Sequence, residues 1–313
     1  MPSNREPSII PFAELEPSWH VPGAKVGGTL RWLISWVGGR KGFVNSNPER
    51  AVINDEISVG LMYLPVGQRQ EGLHYHTVTE IYVIVKGRVV GYDGSNTSHI
   101  AGPMDCIYIP AGVPHGVRNA GMEDVELIWL HDGVEASGMT IYCDTQQDLE
   151  NAPSKAPIQV VQLQDLAPVW SNPRAKEPEF LRWVVNWIGG PGGFENLNPG
   201  YAVESEKIAL GLTVLMPGNK QVPHCHSVAE VYVILKGKVL VKLDKEGKKA
   251  KELAYLDCAY FPDGAVHSLR NHGSEPAYIM WAHDRANRSG GTNYENLEGQ
   301  ELSTPQPSTN GIA

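Results

Sequence analysis

The 313-residue sequence is poor in several things at once. It has only four cysteines, Cys106, Cys143, Cys225 and Cys258, and none stands in a CxxC pair. Four thiols in so long a chain make no disulfide framework, and a thiolate zinc site lacks its spacing. Basic residues are in the minority: 26 Lys and Arg against 35 Asp and Glu leave a formal charge of −9. Nucleic acids and anionic membranes are polyanions, so this balance argues against both as partners. No apolar run approaches the ~20 residues of a membrane-spanning helix. The opening Met1-Pro2-Ser3-Asn4-Arg5-Glu6-Pro7 has no apolar stretch of the signal-peptide kind, and a cytoplasmic protein is expected. Helical periodicity is absent outside the middle and the ends of the chain. What remains is ample core material, 42% apolar residues, punctuated by 33 glycines and 23 prolines.

The chain repeats itself. Arg31-Trp32-Leu33-Ile34-Ser35-Trp36-Val37-Gly38-Gly39 returns as Arg182-Trp183-Val184-Val185-Asn186-Trp187-Ile188-Gly189-Gly190, a shift of 151. His74-x-His76-x-x-x-Glu80 returns as His224-x-His226-x-x-x-Glu230 at a shift of 150. Asp105-Cys106 and Trp129-x-His131-Asp132 return as Asp257-Cys258 and Trp281-x-His283-Asp284 at 152. A period of this length is a whole domain rather than a solenoid unit. The polar, Pro-bearing stretch after Asp144 reads as the seam. The expected organisation is an N-terminal domain over 1–145, a linker over 146–157 and a C-terminal domain over 158–313.

Each copy reads as short β-branched runs broken by Gly or Pro. Ile81–Val85 followed by Lys86-Gly87 and Arg88-Val89-Val90 looks like a hairpin closed at the glycine, and Val231–Leu235 with Lys236-Gly237 repeats it. Ile107-Tyr108-Ile109-Pro110 and Ala259-Tyr260-Phe261-Pro262 are strands stopped by proline. Val125–Leu130 and Ala277–Ala282 are further strands. Many short strands per half predict an all-β sandwich or barrel in each.

Histidines are placed with equal regularity. His74 and His76, like His224 and His226, are two apart, which puts both rings on one face of a strand. Glu80 and Glu230 follow four residues later. A third histidine comes five residues after a proline in each copy, as Pro110-Ala-Gly112-Val-Pro-His115 and Pro262-Asp-Gly264-Ala-Val-His267. Three neutral imidazoles and a carboxylate suit a borderline divalent ion, Fe²⁺, Mn²⁺, Ni²⁺, Cu²⁺ or Zn²⁺. Two coordination positions left open would mark a reactive centre. Ordinary polar strand residues are the alternative, but an in-register set of four occurring twice is hard to reconcile with it.

On these residues the chain resembles the cupin superfamily, and specifically a bicupin. The pattern G(X)5HXH(X)3,4E(X)6G fits Gly218, His224, His226, Glu230 and Gly237 throughout. It fits His74, His76, Glu80 and Gly87, with Gly67 one residue too early. The pattern G(X)5PXG(X)2H(X)3N matches Pro110, Gly112, His115 and Asn119, and Pro262, Gly264, His267 and Asn271, with Met104 and Leu256 in place of its leading glycine. The resemblance implies two tandem cupin-type β-barrels (double-stranded β-helix, or jelly roll) with few short helices. It also implies one divalent ion per domain, Fe²⁺ or Mn²⁺ before Ni²⁺, Cu²⁺ or Zn²⁺, on His74, His76, Glu80 and His115 and on His224, His226, Glu230 and His267.

Within that reading Glu80 and Glu230 become candidate proton acceptors. Tyr82 and Tyr232, which share their parity, become candidate catalytic hydroxyls, with packing as the equal alternative. Cys225 and Tyr75 point away from the ligands, and Cys225 is expected to be a small buried hydrophobe. His131-Asp132 and His283-Asp284 read first as strand-end structural pairs and second as acid–base pairs. The Trp32/Trp36 and Trp183/Trp187 pairs read as core or interface anchors. The leading expectation for function is an oxidoreductase: a dioxygenase acting on a small aromatic or enolic substrate with dioxygen. The alternative is a non-redox metal enzyme (decarboxylase, isomerase or lyase), and a binding or storage protein comes last. Bicupins similar to oxalate decarboxylase carry arginine three residues before the first ligand histidine. Glu71 and Gln221 stand there, which disfavours oxalate itself. The undistorted first motif tips the balance of activity toward the second copy, and a monomer or homodimer is expected. Elemental analysis of the purified protein is expected to find one divalent ion per repeat; a chain that binds none at micromolar metal would contradict the ligand assignment.

Overall fold

The computed structural model describes residues 6–39, 44–95, 97–134, 140–170, 174–190, 196–244, 249–286 and 292–294. The terminal segment from 302 onward, with its Ser, Thr, Pro and Gln, lies outside them. None of the described helices is long and apolar enough to cross a membrane.

Each half is built from two facing sheets. In the N-terminal half a seven-stranded sheet runs in the order Gln159–Val161, Cys106–Ile109, Glu80–Lys86, Val125–His131, Ser58–Leu64, Trp32–Gly38 and Val52–Ile53. Its partner is a five-stranded sheet: Ile141–Cys143, Leu73–Tyr75, His115–Asn119, Val89–Asp93 and Ser98–Ala101. The C-terminal half repeats the large sheet with Ser8–Ile10, Cys258–Phe261, Glu230–Lys236, Ala277–His283, Ala209–Leu215, Arg182–Gly189 and Val203–Glu204. Two smaller sheets make its second face, joined by a bridge between His224 and His267. The two-barrel, nearly all-β expectation holds.

The expected glycine hairpins do not form. Glu80–Lys86 and Val89–Asp93 lie in different sheets, as do Glu230–Lys236 and Val239–Lys242. Gly87 (φ 79°) and Gly237 (φ 78°) are the corners at which the chain crosses between layers. A Cβ on Gly87 would fall 2.8 Å from Val125 Cγ2 and 2.9 Å from the Asp124 carbonyl. The left-handed backbone and the close approach both demand glycine there.

The run Glu80–Lys86 is apolar on both faces for a simple reason. Tyr82 and Ile84 face the interior of their own barrel, while Ile81, Val83 and Val85 face outward. The outward face joins Val231, Val233 and Leu235 of the other half in one shared core with Trp36 and Trp187. Burial on both sides reads as a continuous hydrophobic run. The indole Nε1 of Trp187 donates to the Met104 carbonyl at 2.9 Å, so this tryptophan does anchor one half to the other.

The halves also trade their leading strands. Ser8–Ile10 pairs antiparallel with Cys258–Tyr260 of the second half, and Gln159–Val161 pairs with Cys106–Tyr108 of the first. In each case the next segment is pinned by an aspartate: Phe12 N donates to Asp257 Oδ1 at 2.8 Å, and Leu163 N to Asp105 Oδ1 at 3.0 Å. Between the halves, residues 146–150 form one short helix with a Thr145/Asp148 capping box.

This exchange accounts for the motif glycine that is missing. Met104 (φ 67°) and Leu256 (φ 65°) keep the left-handed turn that glycine would adopt freely. Their amides donate to the Ile84 and Ile234 carbonyls at 2.7 and 2.8 Å. Leu256 is buried in the shared core and Met104 packs against it. Leu256→Gly is expected to relieve about 1–2 kcal/mol of backbone strain but to forfeit about 2–5 kcal/mol of side-chain burial. The net expectation is a lower urea midpoint. A more stable variant would show that the turn, not the packing, governs this position.

Candidate metal centres

The two sheets of each half meet around the predicted ligands. His74 and His115 are cross-strand partners on the small sheet, and Glu80 lies on the large sheet facing them. His224 and His267 form the equivalent bridge, opposite Glu230. The donor atoms of His74, His76, Glu80 and His115 lie within 4.8 Å of one another, as do those of His224, His226, Glu230 and His267. All eight side chains are buried.

The hydrogen bonding around them sets the tautomers. His115 Nδ1 is 2.8 Å from the Val113 carbonyl, and His267 Nδ1 is 2.9 Å from the Ala265 carbonyl. His224 Nδ1 is 2.8 Å from the Val222 carbonyl. A carbonyl only accepts, so each Nδ1 carries the proton and Nε2 is left with a lone pair. Yet His115 Nε2 stands 2.6 Å from Glu80 Oε2, and His267 Nε2 2.8 Å from Glu230 Oε2. Two lone pairs at that distance repel unless a proton or a cation lies between them. His226 Nε2 and Glu230 Oε2, 3.2 Å apart and buried, make no hydrogen bond of acceptable geometry. Both converge on a common point rather than on each other. This donor set fits a divalent cation, with the backbone carbonyls orienting the imidazoles from behind. Each half thus holds a 3-His-1-Glu metal site.

The sequence reading paired His131 and His283 with their neighbouring aspartates and did not place them beside the ligand sets. The strand predicted to end at Leu130 continues to His131, which sits directly opposite Glu80 in the register, and His283 sits opposite Glu230. His131 Nε2 is 3.5 Å from Glu80 Oε1, and His283 Nε2 is 3.2 Å from Glu230 Oε1. The expected His–Asp pairs are split. Asp132 Oδ1 accepts from Thr79 N at 2.9 Å and Asp284 Oδ1 from Ala229 N at 3.1 Å, so only the aspartates tie strand ends. Parity could have found the histidines: His131 lies two residues beyond Trp129, on the same inward face. Cys225 is half-buried rather than buried.

Tyr82 and Tyr232 face inward as parity requires. The Tyr82 hydroxyl donates to Glu80 Oε2 at 2.9 Å and accepts from Gln70 Nε2 at 3.3 Å. The Tyr232 hydroxyl is 3.2 Å from His267 Nε2. Burial, and then the adjacent carboxylate, push both phenols well above their ordinary value, so both stay protonated. Burial alone would raise the Glu80 and Glu230 carboxyls, but the surrounding imidazoles outweigh it and hold both well below the usual range. Burial drives His74 and His224 well below their ordinary value, with help from His115 and His267 respectively.

A cavity of about 140 Å³ opens over the N-terminal site. Beside the ligands His74, His76 and Glu80 its wall includes Arg31, Trp129, His131 and Tyr142. Trp129 reaches it by lying flat across Gly60, where a Cβ would come within 2.2 Å of the indole. In the C-terminal half the ring of Phe261 stacks on His267 at 4.0 Å, where the first half has Ile109 beside Glu80.

The Cupin domain family matches the chain twice, over residues 60–131 and 211–283. No curated protein sequence matches it. Among solved structures, Bacillus subtilis oxalate decarboxylase, described for its Mn(II) centres, superposes with a TM-score of 0.59. Identity is 16%, over 92% of this chain and 78% of that one. The Lactobacillus farciminis oxalate decarboxylase formate complex gives a TM-score of 0.59 at 14% identity, over 92% of this chain and 88% of that one.

Metal-free protein is expected to lose stability in two steps on acidification. His74 and His224 have folded values below the unfolded value near 6.5, so below that pH only the unfolded chain takes up their protons. The cost is about 1.4 kcal/mol per pH unit for each ring. Glu80 and Glu230 act in the same direction below about pH 4.5. Urea midpoints from pH 8 to 4 check this. A midpoint that rises as pH falls from 7 to 5.5 would contradict the buried neutral rings.

Proposed function

The chain is a bicupin of the cupin superfamily, and from that premise we propose that it is a metal-dependent enzyme of the non-redox kind. The reaction class is decarboxylation, isomerisation or elimination of a small organic acid. The observation that carries this reading is the double claim on Glu80: imidazoles approach both its oxygens while the Tyr82 hydroxyl donates to one of them. A carboxylate so held stays ionised at the cavity wall, placed to take a proton from a substrate that a bound ion would make more acidic. The shared fold of the oxalate decarboxylases, proteins with Mn(II) centres in the Bacillus case, favours decarboxylation among these reactions. The dioxygenase expectation finds no such support among the relatives and stands as the second reading.

When bound, a divalent ion supplies Lewis-acid polarisation of a substrate oxygen. The rest is the work of side chains. His115 and His267 present Nε2 because the Val113 and Ala265 carbonyls hold their Nδ1 protons. Glu80 accepts the substrate proton at Oε1, the oxygen turned toward His131. Tyr82 keeps its own proton and steadies Oε2. Trp129 and Met62 form part of the wall against which a substrate would lie.

The test is turnover under nitrogen. Mn²⁺-loaded protein is incubated with small 2-oxo, 3-oxo and 2-hydroxy acids, and loss of substrate is followed by NMR. Turnover without dioxygen supports the proposal, and Glu80→Gln is expected to lower kcat by about 10²–10⁴-fold. Turnover that occurs only with Fe²⁺ and consumes one dioxygen per substrate would replace it with the oxygenase reading.

A further inference from the structure

The cavity over the N-terminal site contains a buried cation that no part of the 3-His-1-Glu chemistry requires. Arg31 is 4% exposed and lies at the entrance to the strand Trp32–Gly38. Arg31 lines the cavity together with His74, His76 and Glu80. Among the described residues it is held by acceptors with no full charge. Nη1 donates to the Thr29 carbonyl at 3.0 Å, Nη2 donates to the Pro22 carbonyl at 2.8 Å, and the Tyr142 hydroxyl lies against it. Glu71 acts on it through space, but no described carboxylate forms an ion pair with it. Burying an arginine without a counter-ion is costly, and such a charge persists where a ligand supplies the missing anion.

The charge balance of the cavity has the same sense. A divalent ion on three neutral imidazoles and Glu80 leaves one net positive charge, and Arg31 adds a second. Two carbonyls hold the arginine fork in place, so little side-chain freedom is lost when it grips a planar anion. The rest of the wall is mixed: Leu33, Val44 and Met62 form an apolar patch, beside the polar Ser58, Gln70 and Thr140. A cavity of about 140 Å³ is comparable to one that accommodates a benzene-sized body.

We propose that Arg31 is the carboxylate-binding residue of the N-terminal cavity, and that the ligand is a monocarboxylic acid with a small apolar or aromatic body lying on Leu33, Val44 and Met62. This deepens the proposed function by naming the substrate class, and rests on it only for the statement that the ligand is also substrate. Arg31 holds the carboxylate end and is a binding group, so its effect is read without turnover.

The experiment is calorimetric titration of the full-length protein with benzoate and with its neutral isostere benzamide, in metal-loaded and EDTA-treated samples. Benzoate is expected to bind both samples, at least tenfold more tightly than benzamide. Arg31→Gln is expected to weaken benzoate at least tenfold while leaving benzamide unchanged, and Arg31→Lys to fall between. Metal content and melting temperature of each variant report whether it folds, and the benzoate–benzamide comparison needs no variant at all. Equal affinity for acid and amide, or no benzoate binding by folded wild-type protein, would overturn the proposal. So would benzoate binding that vanishes with EDTA and ignores Arg31→Gln, since the acid would then sit on the ion alone. If turnover under nitrogen fails but Arg31-dependent binding is found, the clamp stands and the reaction class falls.

Discussion

A carboxylate taken out of water needs positive charge around it, and in each half of this molecule that need organises everything nearby. Glu80 and Glu230 are fully enclosed, and burial by itself would push them toward the neutral form. Imidazoles approaching from both sheets reverse that tendency. The same rings cannot all be protonated, because His115 and His267 depress His74 and His224. The stable resolution is a shared cation: it satisfies the carboxylate and the Nε2 lone pairs together, and asks no ring to carry charge in a dry site. The backbone carbonyls of Val113, Val222 and Ala265 complete this arrangement by keeping protons off the face where the ion belongs.

The two halves place different side chains beside one ligand set. Beside Glu80 the neighbouring strand contributes Ile109; beside Glu230 it contributes Phe261, whose ring covers His267 and packs with Tyr232 and Ile234 in the barrel core. The undistorted first motif of the second copy had tipped the sequence reading toward that half. The described cavity lies over the half whose motif is irregular, although Arg182, Trp281 and His283 repeat Arg31, Trp129 and His131 in the second half.

That irregularity shows how far the sequence could be read and where reading stopped. Ligand spacing was legible where period-two strand geometry maps directly onto sequence, in His74/His76 and His224/His226, while the glutamates and the third histidines stood out by their repetition and the motif. Gly67, one residue early against the motif, is in fact the same turn as Gly218: their φ values are 75° and 74°. The extra residue is absorbed further on, at Gly72 with φ 64°, a turn the second copy lacks. No single-residue rule distinguishes an early glycine from a later insertion. Nor could a local rule distinguish a hairpin from a corner at Gly87, since both want a left-handed glycine and the choice depends on which distant strand claims each edge. His131 was read as one of a strand-end pair rather than as a neighbour of Glu80, because nothing local shows the register that sets them opposite each other, and Arg31 was read only as part of the repeat, because nothing local shows that the fold buries it.

The exchange of leading strands has its own logic. Gln159–Val161 edges the very sheet that carries Glu80, and Ser8–Ile10 edges the one that carries Glu230. Each metal site therefore depends on the other half for the border of its main sheet. The outward face of each ligand strand, Ile81 to Val85 and Val231 to Leu235, is covered only by the shared core. Left unpaired, those edges and faces would be open to association with other chains. Joining the copies covalently makes the exchange intramolecular and raises the effective concentration of each strand at its partner. The constraint then falls on the turn where the incoming segment lands. Asp105 and Asp257 must face the arriving amides of Leu163 and Phe12, and a bulky apolar residue must precede them to meet the shared core. Glycine would satisfy the backbone but not the core, which is why Met104 and Leu256 hold a conformation that side chains usually avoid.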